Sequence, residues 1–425
     1  MARACYADVS GLLRRRVRWW PSYRWPVPTR VYLDHAATSV LRPEARDVVA
    51  DLLGRTGGNP SSLHGTGRAA RRVVEEAREQ VADAVGAGAT EVVLTSGGTE
   101  ADNLAVKGIA LARRIADSRR RRILVSAVEH HAVLDAAHWL GADGAFEVVE
   151  LPVDRTGRLE LAALAEVVAA DPDGIAVVSV MAANNEVGTL QPLADVVAVC
   201  DPAGIPVHAD AVQALGVLPL DFAGSGLAAM SVTGHKVGGP VGTGALVLRH
   251  DVAAVPVLHG GGQQRDLRSG TLDAVGAGAF ATAATLAAAA RAGHVARLST
   301  LRTRLVAGVR AAVPDVAVEG ATNPAGGLPG LAWLRFPGAD ADAVLFALDE
   351  AGLDVSTGSA CSAGVTRGSH VLAAMGRPPR DGEPDGIRVS MGWPTTAADV
   401  DALVAALPDA VAMGRAAADA GRVPA

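Results

Sequence analysis

The sequence predicts an α/β protein with a large domain built on a mainly parallel sheet and a smaller α+β domain. Short apolar runs alternate with amphipathic stretches from Val31 to about residue 290, and the pattern changes beyond that point. Such alternation is typical of parallel strands that are connected by helices. We expect residues 45–290 to form the large domain, and residues 31–44 with 291–425 to form the small one.

Five runs in the first part are predicted to be buried strands, because each is short and apolar. In chain order they are EVVLTS, RILVSAV, FEVVEL, IAVVSVMA and IPVHAD. Helical spacing of apolar residues, with glycine near several ends, predicts helices in GRAARRVVEEAREQVADAVG, EADNLAVKGIALARRIA and PLADVVAVCDPAG. Because ligands of such sheets bind beyond the carboxyl ends of the strands, a site is expected in the loops that follow them.

Beyond residue 290 the sequence predicts a long helix at 291–313, a strand in GLAWLRF and a helix at 339–351. A Gly/Ser/Ala loop at 356–368 and the strand GIRVSMGW follow, and the segment near Tyr32 is expected to join this domain. The apolar run at 274–290 is mainly Ala and Gly, which is short and weakly hydrophobic for a membrane span. It is predicted to be a closely packed helix.

Composition indicates small-molecule chemistry. The chain has 425 residues, 49% of them hydrophobic, and a net charge of -6, so no overall field attracts nucleic acid or an anionic membrane. Its three cysteines, Cys5, Cys200 and Cys361, are too few for a disulfide framework or a thiolate metal cage, which is typical of the reducing cytoplasm. We therefore expect a cytoplasmic protein with no metal, no membrane and no direct nucleic-acid partner.

Residues 1–30 differ from the rest of the chain. They combine arginine, tryptophan and proline in LLRRRVRWWPSYRWPVPTR but have no apolar segment followed by a cleavage site, so they are not a secretory signal. A disordered or spurious extension is favoured over an arm that binds nucleic acid or a partner, and a later start at Val31 is a hypothesis.

Lys236, in SVTGHKVGGP, is one of only two lysines in the sequence. Arginine can replace a lysine that serves as a surface charge, whereas a Schiff base or a general base needs an amine that loses its proton. Lys236 lies between a histidine and several glycines, which favours such a chemical role. The other lysine, Lys107, falls on a helix face and is interpreted as a surface charge.

Two further motifs add a phosphate-binding turn and an acidic side chain to the Lys236 amine. LTSGGTEADN runs from a strand through glycines into a helix, so that free backbone N–H groups can bind phosphate, and VHADAVQ places Asp210 directly after a strand. Alone, the first is a weak signal and Asp210 would be a helix N-cap. Together with Lys236 they supply the three contacts that pyridoxal 5'-phosphate (PLP) needs: a phosphate anchor, a pyridinium partner and an amine.

The chain also resembles a known family. VYLDHAATS, GNPSSLHG, LTSGGTEADNLAVKG, EHHAVLD, NNEVGTLQP, HADAVQALG, TGHKVGGPVGTGAL, GGGQQRDLRSGT, STGSACSAG and GIRVSMG occur in the order seen in NifS/IscS-like cysteine desulfurases of the class V aminotransferases. The resemblance extends from Val31 to the C-terminal region. It implies the aspartate-aminotransferase-like fold of PLP-dependent transferases and a homodimer.

The resemblance implies roles for twelve residues. Lys236 matches the Schiff-base lysine, His130 the histidine that stacks on the PLP ring, and Asp210 the pyridinium partner. Asn185 and Gln213 match residues on the phenolic side of the ring, and Arg388, with Asn185, is expected to bind the substrate. The phosphate contacts match Gly98, Thr99, Thr233 and His235, with Thr271 from the second subunit.

Cys361 is the twelfth residue for which the resemblance implies a role. Its glycine-rich polar loop would be poor core, so Cys361 is interpreted as an exposed nucleophile, whereas Cys200 lies in an apolar helical pattern and is interpreted as buried. The resemblance implies that Lys236 removes the Cα proton of L-cysteine, that Cys361 takes the sulfur as a persulfide and that alanine is released. His130 is a candidate for proton transfer at the substrate thiol.

The pattern departs from the family at three places. His35 stands where many relatives have asparagine, Thr233 where many have serine, and SAGVTRGSH lacks a frequent Leu-Glu-Pro. The long loop favours transfer to several acceptors, such as an iron–sulfur scaffold or a tRNA-thiolating enzyme, and leaves their identity open. The alternatives are a selenocysteine lyase, another PLP-dependent lyase or epimerase, and a catalytically silent scaffold.

Overall fold

The computed structural model describes residues 30–55, 57–321, 324–358, 368–377 and 386–420, and the predictions for residues 1–29 lie outside this part. The strands are β1 (Val31–Tyr32), β2 (Val92–Thr95), β3 (Arg122–Ser126), β4 (Glu147–Leu151), β5 (Ile175–Ser179), β6 (Val207–Asp210), β7 (Ala229–Thr233), β8 (Gly244–Leu248), β9 (Ala317–Glu319), β10 (Leu331–Arg335), β11 (Leu353–Asp354) and β12 (Gly386–Ser390). The helices are α1 (Pro43–Arg55), α2 (Gly65–Val85), α3 (Gly98–Ala116), α4 (His131–Gly141), α5 (Leu161–Ala170), α6 (Leu193–Cys200), α7 (Phe222–Ser225), α8 (Ala274–Ala312), α9 (Ala341–Glu350), α10 (His370–Ala374) and α11 (Ala397–Ala420).

A seven-stranded sheet in the order β2-β8-β7-β6-β5-β3-β4 forms the centre of the large domain. The neighbours from β7 to β4 pair in parallel, and only β8 runs against its neighbours, so the sheet is mainly parallel as predicted. Helices cover both faces, and every residue of β5, β6 and β7 is buried. The carboxyl ends of β2, β3, β5, β6 and β7 therefore meet at one edge.

The run FEVVEL forms a strand, but its prediction as a buried strand was wrong. In β4 only Leu151 is buried, and Glu147 and Glu150 are exposed. The reason is position, because β4 is the last strand of the sheet and has one neighbour. Charged side chains at an edge strand hinder pairing with other chains.

The small α+β domain is built on the antiparallel sheet β12-β10-β9. The predicted participation of the N-terminal segment agrees with the pairing, since β1 runs parallel to β11 and Asp34 bridges to Ser390. Leu33 is buried in the same apolar cluster as Phe336 and Leu403. The domain boundaries at 45 and 290 stay a prediction.

The 39-residue helix α8 continues through the predicted boundary at residue 290. Its first half packs in the core of the large domain and its second half, with Leu301 and Leu305, in that of the small domain. Among the described residues it is the one helix long and apolar enough to cross a membrane, and 50% of its most apolar window is buried inside the protein. That burial agrees with the prediction of a packed helix at 274–290.

Candidate active site

A cavity of about 270 Å³ lies at the carboxyl ends of the strands of the large sheet. Its walls come from the loops after β2, β3, β5, β6 and β7, together with Arg388 of β12. Ten of the twelve predicted site residues line it: Gly98, Thr99, His130, Asn185, Asp210, Gln213, Thr233, His235, Lys236 and Arg388. Residues separated by up to 290 positions thus converge, while the role of each stays a prediction.

One end of the cavity is formed by the start of α3. Gly97 adopts φ +151°, a conformation that favours glycine, and α3 begins at Gly98, where the first backbone N–H groups of a helix have no intrahelical partner. A Cβ on Gly98 would lie 2.7 Å from a methyl group of Val212, so the backbone has no room for a side chain. This arrangement of N–H groups and the Thr99 hydroxyl suits a phosphate.

His235 and Thr233 lie at the cavity wall after β7. Burial and, to a smaller extent, the charge of Lys236 lower the pKa of His235 to about 4, so its imidazole is neutral at pH 7 and can donate one hydrogen bond. The Thr233 hydroxyl donates to the carbonyl oxygen of Thr243 at 2.8 Å, and to bind a phosphate this hydroxyl would have to rotate and donate to the phosphate instead. Thr271 is exposed and is absent from the lining of its own chain's cavity.

Lys236 lies in a tight turn between β7 and β8. Gly238 has φ +84°, and Gly239 donates its N–H to the carbonyl oxygen of Gly234 at 2.9 Å, which closes the turn. The Lys236 amine donates to the carbonyl oxygens of Ala36 and, at 2.7 Å, Ala37, both in the segment after β1. The amine is therefore held within the cavity rather than directed to solvent.

Asp210 is the last residue of β6, and its side chain is buried in the cavity wall. Burial raises the pKa of its carboxyl to about 6, although a 2.9 Å hydrogen bond from the backbone N–H of Val212 and the charge of Lys236 oppose the rise. A buried carboxylate is stabilised by a cation that contacts it. Asp210 thus suits the protonated ring nitrogen of PLP, and its position opposite Lys236 fits the cofactor.

His130 caps helix α4, and its Nδ1 accepts the backbone N–H of Ala132 at 3.1 Å. In the neutral ring the proton is then on Nε2. Burial and, to a smaller extent, the charges of Lys236, His131 and His370 lower the pKa of His130 to about 4. A neutral ring with a fixed tautomer can lie against an aromatic cofactor and donate a hydrogen bond through Nε2–H.

Arg388 projects from β12 and is almost fully buried. Its Nη1 donates to the carbonyl oxygen of Asn185 at 3.0 Å and its Nη2 to Asp34 Oδ1 at 2.8 Å. Its Nε is buried and has no hydrogen-bond partner among the described residues. Two contacts therefore orient the guanidinium while donor capacity remains for a substrate carboxylate. Beside it, Gln213 donates to the Ala36 carbonyl oxygen at 3.0 Å.

Cys361 lies outside the described residues, so its exposure and its role as a nucleophile stay predictions. The described chain reaches Gly358, which lines the cavity, and continues at Gly368. The interpretation of Cys200 is confirmed, because its side chain is fully buried in the apolar core and burial raises the pKa of the thiol to about 12.

Sequence reasoning missed several parts of the cavity wall. Asp102, Met181 and Gly358 line it, as do the two alanines whose carbonyl oxygens hold Lys236. One signal was available for Asp102, which follows Thr99 by three residues on α3 and so shares its helix face. Nothing in the local sequence indicates that the segment after β1 reaches Lys236.

Comparisons with known proteins agree with this geometry. The family model described as aminotransferase class-V matches residues 31–403. An "IscS-like cysteine desulfurase" of Mycobacterium tuberculosis is 52% identical over 387 residues, which cover 91% of this chain and 98% of the relative.

Two solved structures extend the comparison. A NifS-like protein has a TM-score of 0.82 and 33% identity over 90% of this chain and 99% of its own. A structure of SspA in complex with cysteine has a TM-score of 0.72 and 28% identity, and the match covers 85% of this chain and 99% of SspA. The chain therefore belongs to the class V aminotransferase family, in its NifS/IscS-like group of PLP-dependent cysteine desulfurases.

Proposed function

We propose that this enzyme removes sulfur from L-cysteine, releases L-alanine and carries the sulfur on Cys361 as a persulfide for transfer to acceptor proteins. The observation that supports the proposal is the single cavity in which Lys236, Asp210, His130 and Arg388 meet. The SspA structure, a relative, holds cysteine.

Gly98, Thr99, Thr233 and His235 would hold the phosphate of PLP, His130 its ring face, and Asp210 its ring nitrogen. When bound, PLP supplies an electron sink for the negative charge that develops at the substrate Cα. Asp210 would keep the ring nitrogen protonated by its negative charge. Arg388 would bind the substrate carboxylate with its free donor capacity.

Lys236 and His130 would act on the protons of the substrate. The Lys236 amine, which donates to two backbone carbonyl oxygens, would take the proton from the substrate Cα. His130 Nε2–H would donate a hydrogen bond to the substrate sulfur, because the neutral ring is held by its bond to Ala132. To take the thiol proton at Nε2, the ring would first have to move its own proton to Nδ1 and give up that bond.

The sulfur step balances without an external oxidant. The Cys361 thiolate would attack the substrate sulfur, so that an S–S bond forms while the substrate Cβ–S bond breaks. The electron pair of the broken bond stays on the substrate carbon, which takes up protons and leaves as alanine. Cysteine and the enzyme thiol thus become alanine and the enzyme persulfide.

The proposal also covers the sulfur acceptors, the oligomeric state and the cellular location of the enzyme. We infer an iron–sulfur scaffold or a tRNA-thiolating enzyme as acceptor, since the 52% identical relative is named IscS-like. A homodimer is inferred because Thr271, the expected phosphate contact, is exposed and outside its own chain's cavity. A cytoplasmic location is inferred separately, from the small number of cysteines. Cross-complementation tests the homodimer. Mixing Lys236→Ala and Thr271→Ala chains should form mixed dimers that regain activity beyond either variant alone. Mixed dimers that do not regain activity contradict a site shared between two subunits.

The central test is a mass spectrum of the PLP-loaded full chain after brief exposure to L-cysteine without reductant. We expect one added sulfur atom on the Cys361 peptide together with alanine. Cys361→Ser should lose both products and keep bound PLP, whereas Cys5→Ser, the matched control, should keep both. Alanine without sulfur on Cys361 contradicts the persulfide route, and no alanine from a PLP-loaded chain indicates another PLP reaction.

Activity on selenocysteine distinguishes a cysteine desulfurase from the main alternative, a selenocysteine lyase. A desulfurase acts on L-cysteine and loses that activity with Cys361→Ser, whereas a selenocysteine lyase would release selenium from selenocysteine and leave L-cysteine unchanged. Equal alanine release from the two substrates, measured with each as sole substrate, would show that the site does not discriminate between them.

A further inference from the structure

A row of buried polar side chains lies beside Asp210. Ser179 of β5, His208 of β6 and Ser231 of β7 are fully buried, and Asp102 of α3 is 1% exposed. His208 Nδ1 is 2.9 Å from Ser179 Oγ, and His208 Nε2 is 2.9 Å from Ser231 Oγ and 3.7 Å from Asp102 Oδ1. The row therefore connects three neighbouring strands with the helix whose start faces the cavity.

Strand geometry brings this row to Asp210. His208 and Asp210 are two residues apart on β6, so their side chains point to the same face, and Ser231 is the register partner of Asp210 on β7. Asp102 and Asp210 both line the cavity, where their carboxyls interact as like charges. Two buried acids thus share one wall.

The charged groups around this pair can be named element by element. From the β7–β8 turn comes Lys236, whose charge lowers the pKa of Asp210. From the turn before α4 come His130, a neutral ring, and Glu129, a buried carboxyl whose pKa burial raises well above its usual range. From β6 comes His208, which is neutral because burial lowers its pKa to about 3. Among these groups only Lys236 supplies positive charge.

The two acids are held differently. Asp210 accepts a backbone N–H from Val212 and feels the charge of Lys236. Asp102 has the Ser231 hydroxyl as its stabilising contact, and its Oδ1 has no hydrogen-bond partner among the described residues. Burial raises the pKa of Asp102 well above its usual range, and the Asp210 carboxyl raises it further. Neighbouring carboxyls in such a site do not both ionise, and the better-stabilised one takes the charge.

We propose that Asp102 holds a proton at neutral pH and, with Ser231, His208 and Ser179, acts as a positioning group that leaves the negative charge of the pair on Asp210. The hydrogen bonds then run in one direction, from Asp102 to Ser231, from Ser231 to His208 Nε2, and from His208 Nδ1 to Ser179. Asp210 alone is charged where the PLP ring nitrogen is expected. This inference rests on the role proposed for Asp210.

The first test is infrared spectroscopy of the full chain, with and without PLP, labelled with ¹³C at the aspartate carboxyl. At pH 7 we expect a carbonyl band of a protonated aspartate that is lost in Asp102→Asn and kept in Asp117→Asn, the matched control at the end of α3. Loss of the band in Asp210→Asn and not in Asp102→Asn, or its absence at pH 7, overturns the proposal. If Asp102→Asn does not fold, Ser231→Ala is used, which removes the proposed acceptor of the Asp102 proton and should shift the band to higher frequency. An unshifted band in Ser231→Ala overturns the proposal.

The second test uses the cofactor as a probe. Because asparagine has the shape and the charge of a protonated aspartate, Asp102→Asn should shift the pH midpoint of the bound cofactor's absorbance by less than about 0.5 unit. Loss of a negative charge from the cavity wall would shift this midpoint by about 1 unit or more, which would contradict a protonated Asp102. Alanine formation is measured separately, so a protein without desulfurase activity would refute the proposed function and leave the infrared result standing.

Discussion

At the scale of single residues, the proposed reaction requires one amine that can lose its proton. The sequence contains two lysines, and the structure gives them different surroundings. The Lys236 amine lies in the cavity and contacts backbone carbonyl oxygens, whereas the Lys107 amine lies over the Trp139 ring at 4.5 Å from its centroid. A guanidinium can replace the second but not the first, because it stays protonated and stacks well on aromatic rings.

Lys236→Arg is therefore expected to lower the rate of alanine formation by at least about 100-fold. The absorbance of lysine-bound cofactor should be lost as well, while the protein keeps its thermal midpoint within a few degrees. Lys107→Arg is the matched control and should retain activity. Alanine formation by Lys236→Arg at a rate near that of the wild type would remove Lys236 from its role as base.

At the scale of elements, the start of α3 is the feature on which we expect cofactor binding to depend. The helix begins at the cavity because β2 ends at Thr95 and the chain turns at Gly97, the residue with φ +151°. Gly98 is packed so closely against Val212 that a side chain would displace one of them. At Gly98 the requirement for glycine thus comes from packing, whereas at Gly97 it comes from the backbone conformation.

Gly98→Ala should lower the free energy of unfolding by about 1–3 kcal/mol, the usual cost of an extra methyl group in a packed site. The displaced helix start should also weaken PLP binding, measured by titration of the PLP-free protein. Gly293→Ala in α8 is the control, since a Cβ there meets nothing within 4 Å. Unchanged stability and PLP affinity in Gly98→Ala would show that the close contact is relieved without cost.

At the scale of the whole molecule, buried titratable groups set how stability depends on pH. Five histidines have lowered pKa values, and burial is the main cause for each. The pKa is about 3 for His208 and about 4 for the other four, which are His35, His130, His235 and His294. Between pH 6.5 and 4 the unfolded chain binds protons at these positions and the folded chain does not. Lowering the pH through this window therefore favours unfolding.

Three buried carboxyls act in the opposite direction. The pKa of Asp210 is raised to about 6, and those of Asp102 and Glu129 are raised well above their usual range, so the folded chain keeps protons that the unfolded chain releases. Their contribution to stability is present at low pH and is lost as the pH rises through the raised values. Because the histidines outnumber them, the histidine effect should prevail below pH 6.5.

We accordingly expect the thermal midpoint of the PLP-free protein to fall as the pH is lowered from about 7 to about 4.5. His294→Gln should reduce the fall, because it removes one of the five groups. His259→Gln, whose native side chain is exposed, is the control and should leave the fall unchanged. A midpoint that is constant or rises on acidification would show that the carboxyls dominate.

The local sequence was sufficient for those features that depend on residue type and spacing. Alternating apolar runs predicted the mainly parallel sheet, and glycine-rich turns, an acid after a strand and a lysine that arginine does not replace predicted a PLP site. Ten of the predicted residues do line one cavity. These signals are local because a strand end, a helix start and a reactive side chain are each encoded within a few residues.

Tertiary structure decided what depends on neighbours from distant parts of the chain. Only the sheet order shows that β4 is an exposed edge, and only the packing shows that the carbonyl oxygens of Ala36 and Ala37 hold Lys236. The pairing of Asp102 with Asp210 arises where α3 crosses β6, over a hundred residues away in sequence. The sequence by itself thus predicted which groups would carry the chemistry, whereas burial and proximity, which arise only on folding, decide which of the two acids we propose to keep its proton.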